Sequence, residues 1–373
     1  MSSAGSAILQ SRHSERQCRR AAGRAPTMKR LGKAEATTLF KSSDLLALGK
    51  KAHEFRMKLH PKPVVSFVMD TNINYTNVCD VGCLFCAFYR PRGHAEAYVM
   101  TAAELRDKLG SASANGVTTV LLQGGMHPDL KLDYYVDLIA SIRRDYPAMH
   151  VHAFSPPEVL RMSEVSGMSI REVLTALKSA GLMSIPGGGA EILVERVRKA
   201  ISPAKPPVDD WLAVMETAHT LGIPTTATMM YGHLETPEEI IEHLDRLRIL
   251  QDKTKGFTAF IAWDFKSENT ALGRKMQTRY SAEKYLRIVA IARLYLDNFP
   301  NIQASWSSQG KDIGQLSLFF GANDLGSLLF EENVMRLAGH RLTARRDEIV
   351  ALIKDAGFTP VQRTTFYDTL KVF

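Results

Sequence analysis

"VVSFVMDTNINYTNVCDVGCLFC", residues 64–86, runs from a short apolar, β-branched segment straight into three cysteines, Cys79, Cys83 and Cys86. Pro61 and Pro63 end the helix-forming sequence ahead of it, since proline lacks the backbone donor that a helix interior needs. Val64–Asp70 then reads as a strand that feeds directly into a loop of metal-binding side chains. What surrounds that strand decides the architecture.

Upstream, Leu45, Leu48, Ala52, Phe55 and Leu59 fall at the three-four spacing of one helical face, with Ser43 placed to cap the start. Downstream, helical and strand patterns take turns: "TAAELRDKLGSASANG" then "VTTVLLQGG", "LDYYVDLIASIRRDY" then "MHVHAFS", "SIREVLTALKSAG" then "LMSIPGGGAE". The alternation continues through "PTTATMMYG", "FTAFIAWDF" and "IQASW" to a weaker last repeat ending near "FFGANDLGS". Such order predicts parallel strands joined by right-handed crossovers. Roughly seven or eight βα units with polar or glycine-rich signatures at many strand ends fit a (β/α)8 barrel; an open sheet would gather its ligand at one switch point. The expected layout is a tail over 1–27, a helical segment over 28–62 and a barrel with C-terminal elaboration over 63–373.

In that barrel the strand ends deliver the cysteine loop, Gln123-Gly124-Gly125, Ser155, Gly187-Gly188-Gly189 with Glu191, His233 with Glu235, Asp264, and Trp306 with Ser307, a polar ring above an apolar core. Strands also end at solvent for no functional reason, so each member alone carries little. The three glycines form no GxGxxG fingerprint and no P-loop Lys and Ser/Thr follow; they allow close approach of a ligand, with Glu191 as acceptor. Thr236, Pro237 and Glu239 make a capping box and are structural. His233, Glu235 and Asp264 remain as candidate catalytic residues. His150 and His152 share one face of their strand, and packing is expected for at least one.

The chain has 373 residues, 45% apolar and 23% charged, an ordinary globular composition with material for a sizeable core. No run approaches the roughly 18 to 20 apolar residues that span a bilayer, and no apolar stretch of a secretory signal follows the basic start. A cytoplasmic protein without a membrane partner is expected. The formal charge is +8, but Arg12, Arg16, Arg19, Arg20 and Arg24 against Glu15 put half of it in the first 27 residues. The remainder is thinly spread, so no nucleic-acid partner is indicated. The Ser/Arg-rich tail resembles a transit peptide in composition; an upstream extension ahead of a start at Met28 is the preferred reading. Of the four cysteines only Cys18 lies outside the cluster, which is not a disulfide framework.

Three clustered thiols are one short of the usual four-ligand zinc site or iron-sulfur cluster. Zinc modules pair two CxxC-like knuckles, and here His94 or His127 would have to complete a site without the usual spacing. The other option is a 4Fe-4S cluster with one iron left open. The CxxxCxxC spacing after the first strand, with Phe85 before the last cysteine, resembles the radical S-adenosylmethionine superfamily. The resemblance implies that S-adenosylmethionine chelates the open iron and that one electron cleaves it to methionine and a 5'-deoxyadenosyl radical. That radical takes hydrogen from an unreactive C–H bond. The Gly-Gly-Glu motif common after the second strand stands here as Gly124-Gly125-Met126, a departure at the glutamate.

More narrowly, "NINYTNVC", "LLQGG", "AFSPPEV", "GLMSIPGGGAEIL", "TTATMMYGHLET", "GFTAFIAW" and "GQLSLFFGANDLGSLLFEENV" together resemble the cyclic dehypoxanthine futalosine synthase family of menaquinone biosynthesis. That implies ring closure of dehypoxanthine futalosine after ribose hydrogen abstraction. It also implies that Cys79, Cys83 and Cys86 hold the cluster, that Phe85, Gly124, Gly125 and Glu191 bind S-adenosylmethionine, and that Ser155 contacts substrate. The substrate's benzoate would find a partner in Arg90, Arg92 or His94, unless these are exposed loop cations. A low-potential flavodoxin or ferredoxin is implied as reductant. Aminofutalosine synthase and the deazaflavin-forming FO synthase half are sister readings, and a zinc-stabilised RNA-binding protein is a reading from another class.

Overall fold

The first strand is longer than its apolar stretch. In the computed structural model, which describes residues 30–42, 44–276, 281–340 and 343–373, β1 (Val64–Val68) and β2 (Asp70–Asn74) are two halves of one line of chain interrupted only at Met69. β2 pairs in parallel with β3 (Thr119–Gln123), and β3 with β4 (His150–Ala153). Bridges His152↔Ser184 and Ile185↔Thr225 carry the sheet on to β5 (Thr225–Tyr231). From there β6 (Phe257–Asp264), β7 (Asn301–Gln303) and β8 (Asp324–Ser327) follow in parallel, and β8 pairs with β1. The circuit closes as the expected (β/α)8 barrel. Its fourth strand is reduced to Ser184 and Ile185 because Pro186 and three glycines follow at once, residues that cannot donate to or stiffen a ladder.

Helices cover the outside. Leu132–Asp145 buries Leu132, Tyr135, Leu138, Ile139 and Ile142, the three-four stripe that a barrel helix needs. Helix Leu45–Leu59 packs on Ala282–Tyr295, and its cap is Asp44, whose side chain accepts from the Ala47 N–H at 2.8 Å. Ser43, given that role from sequence, lies outside the described residues, as do the Arg-rich tail and Cys18. Helix Pro156–Ser166 went unpredicted.

Alternation along the first strand sends Val65, Phe67 and Ile73 into the apolar layer under the helices. Ser66, Asp70, Asn72 and Asn74 then face the lumen. Contacts inside agree: the Ser66 hydroxyl donates to Asp324 Oδ2 at 2.5 Å, the Ser327 hydroxyl donates to Asp70, and His150 and His152 both reach Ser184 Oγ, at 2.7 and 2.6 Å. The barrel interior is therefore not the apolar core expected below the rim; it is lined with polar side chains.

The base is closed by the C-terminal segment. β9 (Thr359–Arg363) lies parallel to β1, and β10 (Thr369–Val372) returns antiparallel to β9. Between them Thr365 Oγ1 meets Thr119 Oγ1 at 2.8 Å, and Phe366 stands edge-on to His150. Arg363 grips Asp324 with Nε and Nη2 at 2.5 and 2.9 Å, both residues buried. Removing one member of such a pair leaves an uncompensated interior charge.

Two expectations follow from this interior. Asp324→Ala should cost about 3–5 kcal/mol of stability by urea denaturation; a loss inside the range of an exposed pair would mean that Arg363 does not depend on it. Burial, with mutual repulsion for His150, pushes the pKa of His150 and His152 down to about 3. Both are neutral in the fold, while the unfolded chain takes up protons below about pH 6.5, so their contribution is complete above that pH and lost as pH falls. Acidification from about pH 7 to 5 should remove on the order of 1–2 kcal/mol per histidine, and His152→Gln should flatten that slope.

Candidate active site

The cysteine loop is pinned from both ends. Cys79 N–H donates to Arg90 C=O at 3.0 Å, Arg90 N–H to Asn77 C=O at 2.8 Å, and Cys86 N–H to Cys83 C=O at 3.1 Å. Beneath it, a Cβ on Gly125 would stand 2.1 Å from Val78 C=O and 2.9 Å from Cys79 Cβ. Glycine is required there so that the loop can lie on the end of β3. The Gly125 N–H donates to Thr76 C=O at 3.0 Å and the Gly124 N–H to Glu158 Oε1 at 2.9 Å. The donors of the two glycines expected at the cofactor are thus committed within the protein.

Glu158 collects four donors: Tyr75 Oη at 2.7 Å, Gly124 N–H, Ser155 N–H at 2.7 Å and Ser155 Oγ at 2.5 Å. Burial raises its pKa against these hydrogen bonds. Ser155 is the N-cap of helix Pro156–Ser166, and because its hydroxyl proton goes to Glu158 it retains only acceptor capacity toward a substrate. "SPPE" is itself a readable S-x-x-E box with proline at the first helical position; that signal was overlooked.

The thiols are half-buried. Burial pushes Cys83 up to about 12 and also raises Cys86, so a nearby cation is needed to favour thiolates. Among the described residues no three His, Cys, Asp or Glu side chains converge on one point as a single metal ion demands. The zinc alternative needs such convergence, whereas a cluster spreads its three thiolates over three separate irons. His94 and His127 instead accept backbone N–H groups from Glu96 and Asp129, each at 3.1 Å. The donor set fits a 4Fe-4S cluster.

Beside the loop, the turn after the three glycines holds Glu191 at φ +45°, a left-handed backbone that is uncommon outside glycine. Its C=O accepts from the Met230 N–H at 3.0 Å, and its buried carboxylate pairs with Lys205 Nζ. That ammonium sits 5.1 Å from the Phe85 ring centroid. Burial disfavours the Lys205 charge, yet Glu191 and Cys83 hold its pKa up. Phe85 and Glu191, chosen from sequence, are thus joined by a lysine that was not; "SPAKPP" offered only a cation in a proline-rich loop.

Other candidates are already occupied. Arg90 donates through Nε to Glu96 at 2.6 Å and through Nη1 to the Ala87, Phe88 and Tyr89 carbonyls; it staples the loop. Arg92 is 70% exposed and paired with Asp129, the loop-cation alternative rather than a carboxylate clamp. His233 Nδ1 accepts from the Leu234 N–H at 2.8 Å and Nε2 faces Met230 C=O at 3.0 Å. Nδ1 also lies 3.2 Å from Glu235 Oε2, so both ring nitrogens are engaged within the protein and neither is presented to a substrate. Burial lowers the His233 pKa. Glu235 holds the Gly232 and His233 N–H groups and Lys284 Nζ, at 2.7, 2.9 and 2.6 Å; burial opposes its charge, but His233 and Lys284 leave its pKa lowered. Asp264 binds Lys266 at 3.0 Å, Gln309 at 2.7 Å and the Ser308 hydroxyl. It borders a cleft of 230 Å³ with Tyr231, Lys284 and His340.

Comparison with known proteins agrees with the fold. Residues 73–247 match the radical SAM superfamily and residues 254–373 the CofH/MqnC C-terminal region. The chain is 44% identical over 350 residues, 94% of each chain, to the cyclic dehypoxanthine futalosine synthase of Halalkalibacterium halodurans. It is also 44% identical to the 5-amino-6-(D-ribitylamino)uracil–L-tyrosine 4-hydroxyphenyl transferase of Methanopyrus kandleri, over 87% of this chain and 89% of that one. Identity to the aminodeoxyfutalosine synthase of Thermus thermophilus is 39%, over 92% and 94%. Among solved structures, the FeFe-hydrogenase maturase HydG of Carboxydothermus hydrogenoformans superposes with a TM-score of 0.70 at 17% identity, over 95% of this chain and 82% of that one. No helix among the described residues is long and apolar enough to cross a membrane. The chain is an enzyme of the radical S-adenosylmethionine superfamily, using a 4Fe-4S cluster and S-adenosylmethionine, and it belongs with the futalosine and 4-hydroxyphenyl transferase branch marked by the CofH/MqnC C-terminal region.

Proposed function

We propose that the protein converts dehypoxanthine futalosine to cyclic dehypoxanthine futalosine. The observation that carries this reading is 44% identity to a cyclic dehypoxanthine futalosine synthase sustained over 94% of both chains. Equal identity to the 4-hydroxyphenyl transferase, over 87% of this chain, makes that reaction the second reading.

Cys79, Cys83 and Cys86 hold three irons of the cluster and leave the fourth for S-adenosylmethionine. Bound there, the pair supplies a hydrogen-abstracting carbon radical. Phe85 offers an apolar face to the adenine. Glu191 accepts from the ribose or amino group, and Lys205 orients its carboxylate. A lumen floored by Arg363, Thr365 and Phe366 keeps water from one end, which protects a reactive radical from side reactions. A low-potential flavodoxin or ferredoxin is the proposed electron source. The substrate's benzoate has no assigned partner, since Arg90 and Arg92 are engaged elsewhere.

Anaerobically reconstituted protein, reductant and S-adenosylmethionine should turn over dehypoxanthine futalosine to a product with the same number of carbons, two fewer hydrogens and one new ring. Turnover of 5-amino-6-(D-ribitylamino)uracil with tyrosine, and none of dehypoxanthine futalosine, would select the second reading. Cys86→Ala should fail to acquire the brown visible absorbance and iron content of a 4Fe-4S protein. Glu191→Ala should keep the cluster but bind S-adenosylmethionine roughly ten- to a hundredfold more weakly, the loss of a charged hydrogen-bond acceptor; unchanged affinity by equilibrium titration would remove that role.

A further inference from the structure

The lumen face of the first strand carries two carboxamide oxygens for which the protein supplies no donor. Asn72 Oδ1 and Asn74 Oδ1 are buried and without a hydrogen-bond partner in the fold, in residues only 7% and 3% exposed. The Asn74 nitrogen donates to Gln123 C=O at 3.2 Å, so its oxygen is the atom left over. Spaced by two residues on one strand, the side chains stand roughly 7 Å apart on one wall. Asn74 comes five residues before Cys79, so the pair leads from the cluster loop down into the barrel.

The surrounding charges define what fits. Glu191 is paired with Lys205, Glu235 with Lys284, Asp264 with Lys266 and Asp324 with Arg363. Below Asn72, Asp70 takes the Ser327 hydroxyl. Four of the buried carboxylates are thus met by cations, while Asp70 is held by the Ser327 hydroxyl and Glu158 by its four hydrogen-bond donors; the acceptors left open on this strand are neutral amides. Their complement is a neutral donor with two adjacent groups, a sugar diol. Leaving a buried acceptor unmatched is destabilising, and a leucine of similar size would avoid that cost.

We propose that Asn72 and Asn74 accept hydrogen bonds from ribosyl hydroxyls of the substrate and that Asn72 is a specificity-determining residue of this enzyme. The identity of the sugar-bearing substrate rests on the function proposed above; the hydroxyl chemistry does not. A ribose is also present in S-adenosylmethionine, so the two sources are separated by measurement.

The experiment uses cluster-loaded full-length protein and compares wild type with Asn72→Leu, Asn72→Ala and Asn74→Leu. Ligand-free melting and equilibrium binding of S-adenosylmethionine and of dehypoxanthine futalosine are measured for each. Ligand-free Asn72→Leu should melt at or above wild type, bind S-adenosylmethionine normally and lose dehypoxanthine futalosine affinity by about ten- to a hundredfold. Weakened S-adenosylmethionine binding with intact substrate affinity would assign the hydroxyls to the cofactor and overturn the proposal. Unchanged affinity for both would mean that water alone satisfies the amides, and a sharply lower melting point in both Asn72 variants would make the residue structural; either result overturns it. Wild type that binds 5-amino-6-(D-ribitylamino)uracil but not dehypoxanthine futalosine would instead reject the proposed function, and the same variants would then be scored against that ribityl ligand.

Discussion

The divided pairing of the first strand underlies everything above it. Val64–Phe67 lies between β8 and β9, while Asp70–Asn74 pairs with β3. One line of chain therefore closes the barrel, takes the C-terminal hairpin at its base and delivers the cysteines at its top. Displacement of this strand by one residue would turn Asn72 and Asn74 outward and Ile73 into the lumen. Gly125, with no room for a Cβ beneath Val78, holds the loop at a fixed height on that scaffold.

Much of the charge inside the barrel is arranged pairwise. Buried carboxylates at Glu191, Glu235, Asp264 and Asp324 each meet a lysine or arginine, and His150 and His152 are kept neutral by burial. Isolated interior charges would be far more costly than these pairs. Lys205 differs in position: it also lies by Phe85 and raises the local positive potential at Cys83. A cluster held by thiolates is anionic, so a cation fixed there is chemically apt.

Much of the architecture could be read from the residues because period and punctuation agreed. β-Branched runs, amphipathic helices and glycine or proline stops repeated in order, and CxxxCxxC after the first strand marked the working face. What was missed has specific causes. The "SPPE" cap lies inside a block that carries the family resemblance, which masks its reading as a helix start. Lys205 reaches Glu191 across the short helix Glu195–Ile201, and Arg363 reaches Asp324 from the C-terminal hairpin; no local pattern announces either pair. Polar lumen residues such as Asn72 and Asn74 read as the start of the cysteine loop because alternation with buried hydrophobes implies an apolar interior. For Arg90 and Arg92 the sequence leaves open a substrate carboxylate or a loop-cation role, since positive charge near a site says nothing about which acceptor is nearer.

The floor of the barrel also sets an order of events during folding. β1 arises near the start of the described chain and its parallel partner β9 near the end, so this pairing is among the most non-local in the molecule. Non-local parallel contacts form slowly because loop-closure entropy is lost before they are made. On the ribosome the helices and inner strands can assemble while the base still awaits its last partner. Closure of the lumen floor, where Arg363 meets Asp324, therefore depends on one of the longest-range pairings among the described residues.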